Sequence, residues 1–154
     1  MFVIVMFYVN PAIDGGDGSG VLELQLSFEK NAGIEIINEW GGAGVNHFKR
    51  WIFTDYIYAF SYSLFLASLI SSLVLKRRKG VHLKNIVFVC VAFLSGALDF
   101  VENSMELFFI KNPYVFSDNL FFIHSIVATL KWIAVTVAIA YIIVLFTKKE
   151  ESHL

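Results

Sequence analysis

The run Tyr56–Leu75 contains no charged residue and is stopped by Lys76, Arg77, Arg78 and Lys79. A helix needs ~20 apolar residues to cross ~30 Å of hydrocarbon, and this run has that length. A second apolar stretch extends from about Asn85 to Ile110. A third extends from about Asp118 to Phe146 and ends at Lys148 and Lys149. The segments 51–75, 85–110 and 118–147 are therefore expected to be three spanning helices. The first segment is shorter. Phe2–Val9 is apolar, but ~10 residues rise only ~15 Å as helix, half a bilayer. With no basic region before it and no small-residue cleavage site after it, it makes a poor signal peptide. It reads as the outer part of a first spanning helix (residues 1–10) whose inner part is missing; a short interfacial or re-entrant segment is the alternative. The expected fold is all-α, a single-domain (1–154) integral membrane antiparallel four-helix bundle, its first helix truncated, with an amphipathic helix on the outer side.

Composition agrees with that class. Hydrophobic residues make up 57% and charged residues 16%, against ~45–50% and ~25% in soluble chains. A net charge of −1 supplies no basic patch, so nucleic acid is excluded as a partner. The single Cys excludes a disulfide scaffold. The expected partner is the lipid bilayer. Lys and Arg concentrate in 76–84 and 148–154, so the positive-inside rule places that loop and the C-terminus in the cytoplasm, and residues 11–50 outside.

In the outer segment, Asn10-Pro11 ends the first helix. Asp14–Gly20 is a loop whose acidic spacing does not match a calcium site, and no Glu closes it. Ser27 is expected to cap an amphipathic helix from Phe28 to Trp40, with Ile34, Ile37 and Trp40 on one side. Gly41-Gly42-Ala43-Gly44 is expected to break it; it lacks the context and Lys of a phosphate loop.

Ionisable residues inside a span are costly and usually face the bundle interior. Here the second helix carries Asp55, Tyr58 and Tyr62, the third Asp99, Glu102, Asn103 and Glu106, and the fourth His124 and Lys131. At 100° per residue, with Asp99 at zero, Glu102 falls near ~300°, Asn103 near ~40° and Glu106 near ~340°, one stripe. His124 and Lys131, seven apart, share a face, as do Asp55, Tyr58 and Tyr62. Counting depth from the helix ends pairs Asp99 with Lys131 and Glu102 with His124 and Tyr58, and puts Asp55 and Glu106 near an outward-facing mouth. The inner half holds little beyond Ser71, Ser72 and Cys90, the last read as an inert small hydrophobe. Trp132, ~100° from Lys131, reads as packing.

The Asp99–Lys131 pair with satellite hydrogen bonds could be purely structural, since polar contacts between membrane helices contribute ~0.6–2 kcal/mol each. The charge balance argues for more. Four carboxylates face one Lys and one His, an excess that a low-dielectric site holds only by protonation, by water or by a bound cation. Carboxylates with His suit Zn²⁺, Mn²⁺ or a di-metal centre, and Asp99, Glu102, Glu106 and His124 would be the ligands; the Glu-x-x-His pairs of di-iron bundles are missing, so neither metal nor cofactor is predicted. Ser95, Ser104 and Ser125 show no Ser–His–acid order, and no catalytic residue is assigned.

Gly96-Ala-Leu-Asp-Phe-Val-Glu-Asn103, Lys131-Trp132, and Trp40-Gly41 followed by Asp55-Tyr-Ile-Tyr58 resemble a group of small, uncharacterised bacterial four-helix inner-membrane proteins over about residues 21–147. Their pattern is an Asp in the second helix, an LDxxEN-like run in the third and a Lys in the fourth. The resemblance implies the fold, a full-length first helix and a bacterial inner membrane as the location, and it brings no activity with it. The functional expectation is a binding or transport-related membrane protein whose pocket (Asp55, Tyr58, Tyr62, Asp99, Glu102, Asn103, Glu106, His124, Lys131) takes a cation, proton or small amine. Two alternatives stand: an intramembrane acid/base or metal-dependent enzyme on a lipid-like substrate, using Glu102 with His124, and a structural subunit of a membrane complex.

Overall fold

The computed structural model describes residues 12–13, 20–76 and 82–147. The expected first helix over 1–10, the Asp14–Ser19 stretch, residues 77–81 of the basic 76–84 loop and the C-terminal segment from residue 148 lie outside the described residues. The chain is all-α, with a short helix α1 (Val21–Leu26) and three long ones: α2 (Lys30–Lys76), α3 (Leu83–Lys111) and α4 (Asp118–Thr147). The short links from α2 to α3 and from α3 to α4 make neighbours antiparallel. α3 packs along both α2 and α4, which touch each other less, and α1 lies across α4 and α2.

Local chemistry accounts for the ends. The Gly20 amide donates to Glu23 Oε2 at 2.9 Å and holds the start of α1. Ser117 caps α4, its Oγ accepting from the Leu120 amide at 3.2 Å, and Asp118 follows in the first turn, where negative charge is favoured. Lys76 and Lys111 close α2 and α3 at the ends that favour positive charge.

Two expectations for the outer segment are corrected. Ser27 is not an N-cap: its Oγ donates to the Leu24 carbonyl, and the helix begins three residues later, at Lys30, after Phe28 at φ 57°. The glycine-rich stretch does not end the helix either. Gly41 alone leaves helical geometry, at φ 57° and ψ −175°, and α2 resumes at once. A left-handed φ is cheap for glycine and strained for other residues. The bend folds the first limb of α2 over the end of the bundle and sets the Trp40 ring edge-on to Phe48, with centroids 4.7 Å apart. Gly33, Ile36, Ile37 and Trp40 form the buried side of that limb. Ile36, Ile37 and Trp40 join Phe109, Phe116 and Phe121 in one apolar cluster. The helix that carries the expected second span, 51–75, therefore begins at Lys30 and is a 47-residue bent helix.

The bundle is sorted inside out relative to a soluble protein. Ala59, Ser63, Ala67, Ala92, Ser95, Ala128 and Ala138 are buried between helices. Phe53, Ile57, Phe60, Phe65, Phe93, Phe100, Phe122 and Ile143 are exposed. Cys90 is exposed on the apolar surface rather than deep in the interior. α2, α3 and α4 are each long and apolar enough to cross a membrane. Small residues bring membrane helices close where no hydrophobic drive between them exists. Gly96 is the tightest such point between α2 and α3: a Cβ there would lie 2.5 Å from Ser63 Oγ and 2.9 Å from the Ala59 carbonyl oxygen. Gly96→Ala adds helix propensity worth up to ~1 kcal/mol. The backbone carbonyl cannot yield, so overpacking prevails and the expected net loss is about 1–2 kcal/mol. A lower melting temperature in detergent, partly restored by Ser63→Gly, checks this; an unchanged or raised one contradicts it.

Candidate functional site

The α3 stripe is buried along its length: Ser95, Asp99, Glu102, Asn103 and Glu106 are at most 2% exposed. α4 contributes His124, Ser125 and Lys131, and α2 contributes Asp55, all buried. Tyr58 and Tyr62 are half-buried on the flank of α2, with ring centroids 5.3 Å apart.

One ammonium joins two carboxylates. Lys131 Nζ lies 2.8 Å from Glu102 Oε2 and 3.2 Å from Asp99 Oδ1, and it sits 4.9 Å from the centre of the Trp132 ring. Asp55 Oδ2 accepts from Asn103 Nδ2 at 3.0 Å. Counting depth from the helix ends pairs Glu102 with His124 and Tyr58. In the structure Glu102 turns to Lys131, and the carboxylate nearest His124 is Glu106, with Nε2–Oε1 at 3.6 Å. Tyr58 instead faces the flank with Tyr62. Glu102 and Glu106 are one helical turn apart, ~5.4 Å, which is within the error of depths counted from helix ends.

Two participants were not visible in the sequence. Gln25 of α1 is buried and donates through Nε2 to Glu106 Oε1 at 3.3 Å. Its Oε1 accepts from Trp132 Nε1, also at 3.3 Å. Trp132, read from its angle as packing, is thus part of the network, because its indole spans from the Lys131 ammonium to α1. A six-residue helix has too few turns to show a periodicity, so no sequence signal marked Gln25. Asn85 and Tyr141 form another missed pair at the opposite end of the bundle, joined by a hydrogen bond with Phe88 stacked on the Tyr141 ring.

α1 also closes the end of the bundle that was expected to form a mouth. Between Val21, Leu22 and Gln25 on one side and Asp55, Asn103 and Glu106 on the other there remains a cavity of about 20 Å³, room for roughly one water.

Glu102, Glu106 and His124 each present one ligand-type atom, and these atoms lie within 4.8 Å of one another. Asp99 does not belong to this group. His124 is 0% exposed, and neither ring nitrogen has a hydrogen-bond partner among the described residues. Its ring is walled by Phe109 and Phe121, with centroids at 5.2 and 5.5 Å. Buried polar groups are nearly always hydrogen-bonded, and one left unmade costs ~1–3 kcal/mol. The aromatic walls keep water from the imidazole and aim its open nitrogen at the two carboxylates. Compared with known proteins, the chain matches no family model, and no curated protein or solved structure is detectably similar to it.

Proposed function

We propose that this chain is a multi-pass membrane protein that binds a cation in an intramembrane site made by Glu102, Glu106 and His124. The observation that carries the reading is His124: a fully buried imidazole without a hydrogen-bond partner, facing two carboxylates. The excess of buried carboxylates supports it. Asp55, Asp99, Glu102 and Glu106 are all buried, and Lys131 is the one buried ammonium among the described residues. A cation bound to Glu106 and His124 would lower the remaining negative charge and occupy the open nitrogen. Two carboxylate oxygens and an imidazole suit a divalent ion of the Zn²⁺ or Mn²⁺ kind. Asp99 and Lys131 would act as the neighbouring fixed pair. A cytoplasmic C-terminus is supported by the Lys and Arg distribution, and a bacterial inner membrane by the resemblance of Asp55, Gly96–Asn103 and Lys131 to small proteins of that membrane.

Calorimetric titration of the protein in nanodiscs with Zn²⁺, Mn²⁺, Ca²⁺ and Na⁺ tests the reading. Saturable binding of a divalent ion near one per chain is expected. It should fall at least about tenfold in Glu106→Gln and in His124→Leu, the loss of one ligand costing on the order of 10–100-fold. No saturable binding of any of the four, or undiminished binding in both variants, would overturn it. The 3.6 Å Glu106–His124 approach also suits acid/base chemistry on a lipid-like substrate. That reading gains if the protein binds no ion and yet both variants lose an activity on added lipid.

A further inference from the structure

We infer that the flank between α2 and α4 is a second binding site, entered sideways from the bilayer, for a membrane-dissolved amphiphile with a protonated amine headgroup. A cavity of about 240 Å³ lies there, between Tyr58, Tyr62 and Phe65 of α2 and Trp132 and Ile139 of α4, with Asp99 and Lys131 at its floor. The inference rests on the membrane placement proposed above, but not on the cation site, whose ligands Glu102, Glu106 and His124 do not line this cavity.

Access defines the first half of the ligand's chemistry. Phe65 is 63% exposed and Ile139 44%, so the rim is part of the apolar surface that lipid would cover. A molecule arriving there must already be dissolved among acyl chains. The volume is below the ~300–1,000 Å³ of pockets that enclose a drug-sized ligand. It suits a headgroup and its first methylenes, with the rest of the chain lying along α4 among the lipids.

The floor defines the second half. Asp99 is 1% exposed, and its Oδ2 has no hydrogen-bond partner. The Tyr62 hydroxyl is buried beside Asp99 and Ser95 and interacts with both, but neither approach is close enough to make a full hydrogen bond. An acceptor and a hydroxyl, neither in a full hydrogen bond, therefore lie just beneath the wall of the same cavity, where a small turn of the Tyr62 ring uncovers them. Lys131 does not reverse the sign of the site, because its ammonium is already engaged by Glu102 and by Asp99 Oδ1. With four carboxylates buried around one lysine, the cavity favours a cation over an anionic headgroup. Tyr58, Tyr62 and Trp132 add aromatic rings to the cavity wall above the Asp99 carboxylate. A carboxylate among aromatic faces is the usual chemistry of ammonium recognition. A primary amine would donate to Asp99 Oδ2 and to the Tyr62 oxygen, with a ring beside its charge.

The test uses the full chain in zwitterionic nanodiscs and alkyl probes brominated near the amine end, read by quenching of tryptophan fluorescence. Bromododecylamine should quench saturably, with an affinity about tenfold or more above that of the matching bromododecanol, since hydrogen bonds to charged groups contribute ~1.5–3 kcal/mol. Trp132→Phe should remove the saturable component, because Trp40 and Trp51 do not line the cavity. Ile139→Phe, a substitution on the lipid-facing rim that leaves the polar core and the tryptophan readout in place, should narrow the cavity and weaken the amine. Asp99→Asn should bring amine and alcohol to similar affinities. Equal affinities in the wild-type protein, quenching that rises linearly without saturation, or amine binding unchanged by Ile139→Phe would each overturn the inference. Glu106→Gln separates the two sites: it should weaken divalent-ion binding at least about tenfold and leave amine quenching intact.

Discussion

Lys131→Met is expected to be the most damaging single substitution in the bundle, costing about 3–5 kcal/mol. The methionine fills a similar volume, so packing alone predicts little change. Electrostatics decides. Lys131 Nζ lies within 3.2 Å of oxygens from both Asp99 and Glu102, and all three side chains are buried. Removing the ammonium leaves two buried carboxylates without their counterion, and Glu106 and Asp55 add charge of the same sign nearby. A loss of that size is a large part of the ~5–15 kcal/mol that holds a domain together, so accumulation in the membrane should fall sharply. The triple variant Lys131→Met, Asp99→Asn, Glu102→Gln should recover most of it, because replacing a whole buried ionic group by neutral side chains is often close to neutral. If Lys131→Met accumulates and melts like the wild type, the contact contributes no more than an average polar contact between membrane helices, ~0.6 kcal/mol, and the electrostatic account fails.

His124→Leu is expected to act in the opposite direction on stability while abolishing ion binding. A structural histidine would lose a hydrogen bond on substitution; this one has none to lose. Leucine removes an unpartnered buried polar group from between Phe109 and Phe121, which predicts a gain of about 1–3 kcal/mol without added ion. Ligand linkage then separates the two proteins. A site filled to 100 times its Kd stabilises the folded state by ~2.7 kcal/mol, so the wild type should rise in melting temperature with divalent ion, and His124→Leu should not. A destabilised variant would show that His124 holds the fold rather than an ion. Groups kept at a stability cost are usually kept for function.

The α3 stripe and the α4 face were legible because helix angle depends only on residue number. Asp99, Glu102, Asn103 and Glu106 must share one side of any straight helix, and so must His124 and Lys131. Burial of those residues follows once lipid makes the opposite face the apolar one. Partner choice was not legible. Counting inward from helix ends carries an error near one turn, and one turn separates Glu102 from Glu106. The roles of Gln25 and Trp132 were hidden for a different reason: each depends on where α1 crosses α4, a contact with no periodic trace in the sequence. Gly41 was visible as a breaker, but whether a glycine ends a helix or bends it depends on what the next turn packs against. Here Trp40 and Phe48 meet across the bend, and the helix continues.

By itself, the sequence determined that the chain forms long apolar helices and that each of three carries one polar side, because hydrophobicity and helical angle are properties of single segments. Only the tertiary structure decided that α1 closes the end of the bundle, that Glu106 rather than Glu102 meets His124, and that an open flank with Asp99 at its floor lies between α2 and α4. Those outcomes depend on the axial offset and crossing of packed helices, which are set by small-residue contacts such as Gly96 against Ser63. Pairwise shape of that kind is encoded in no single segment.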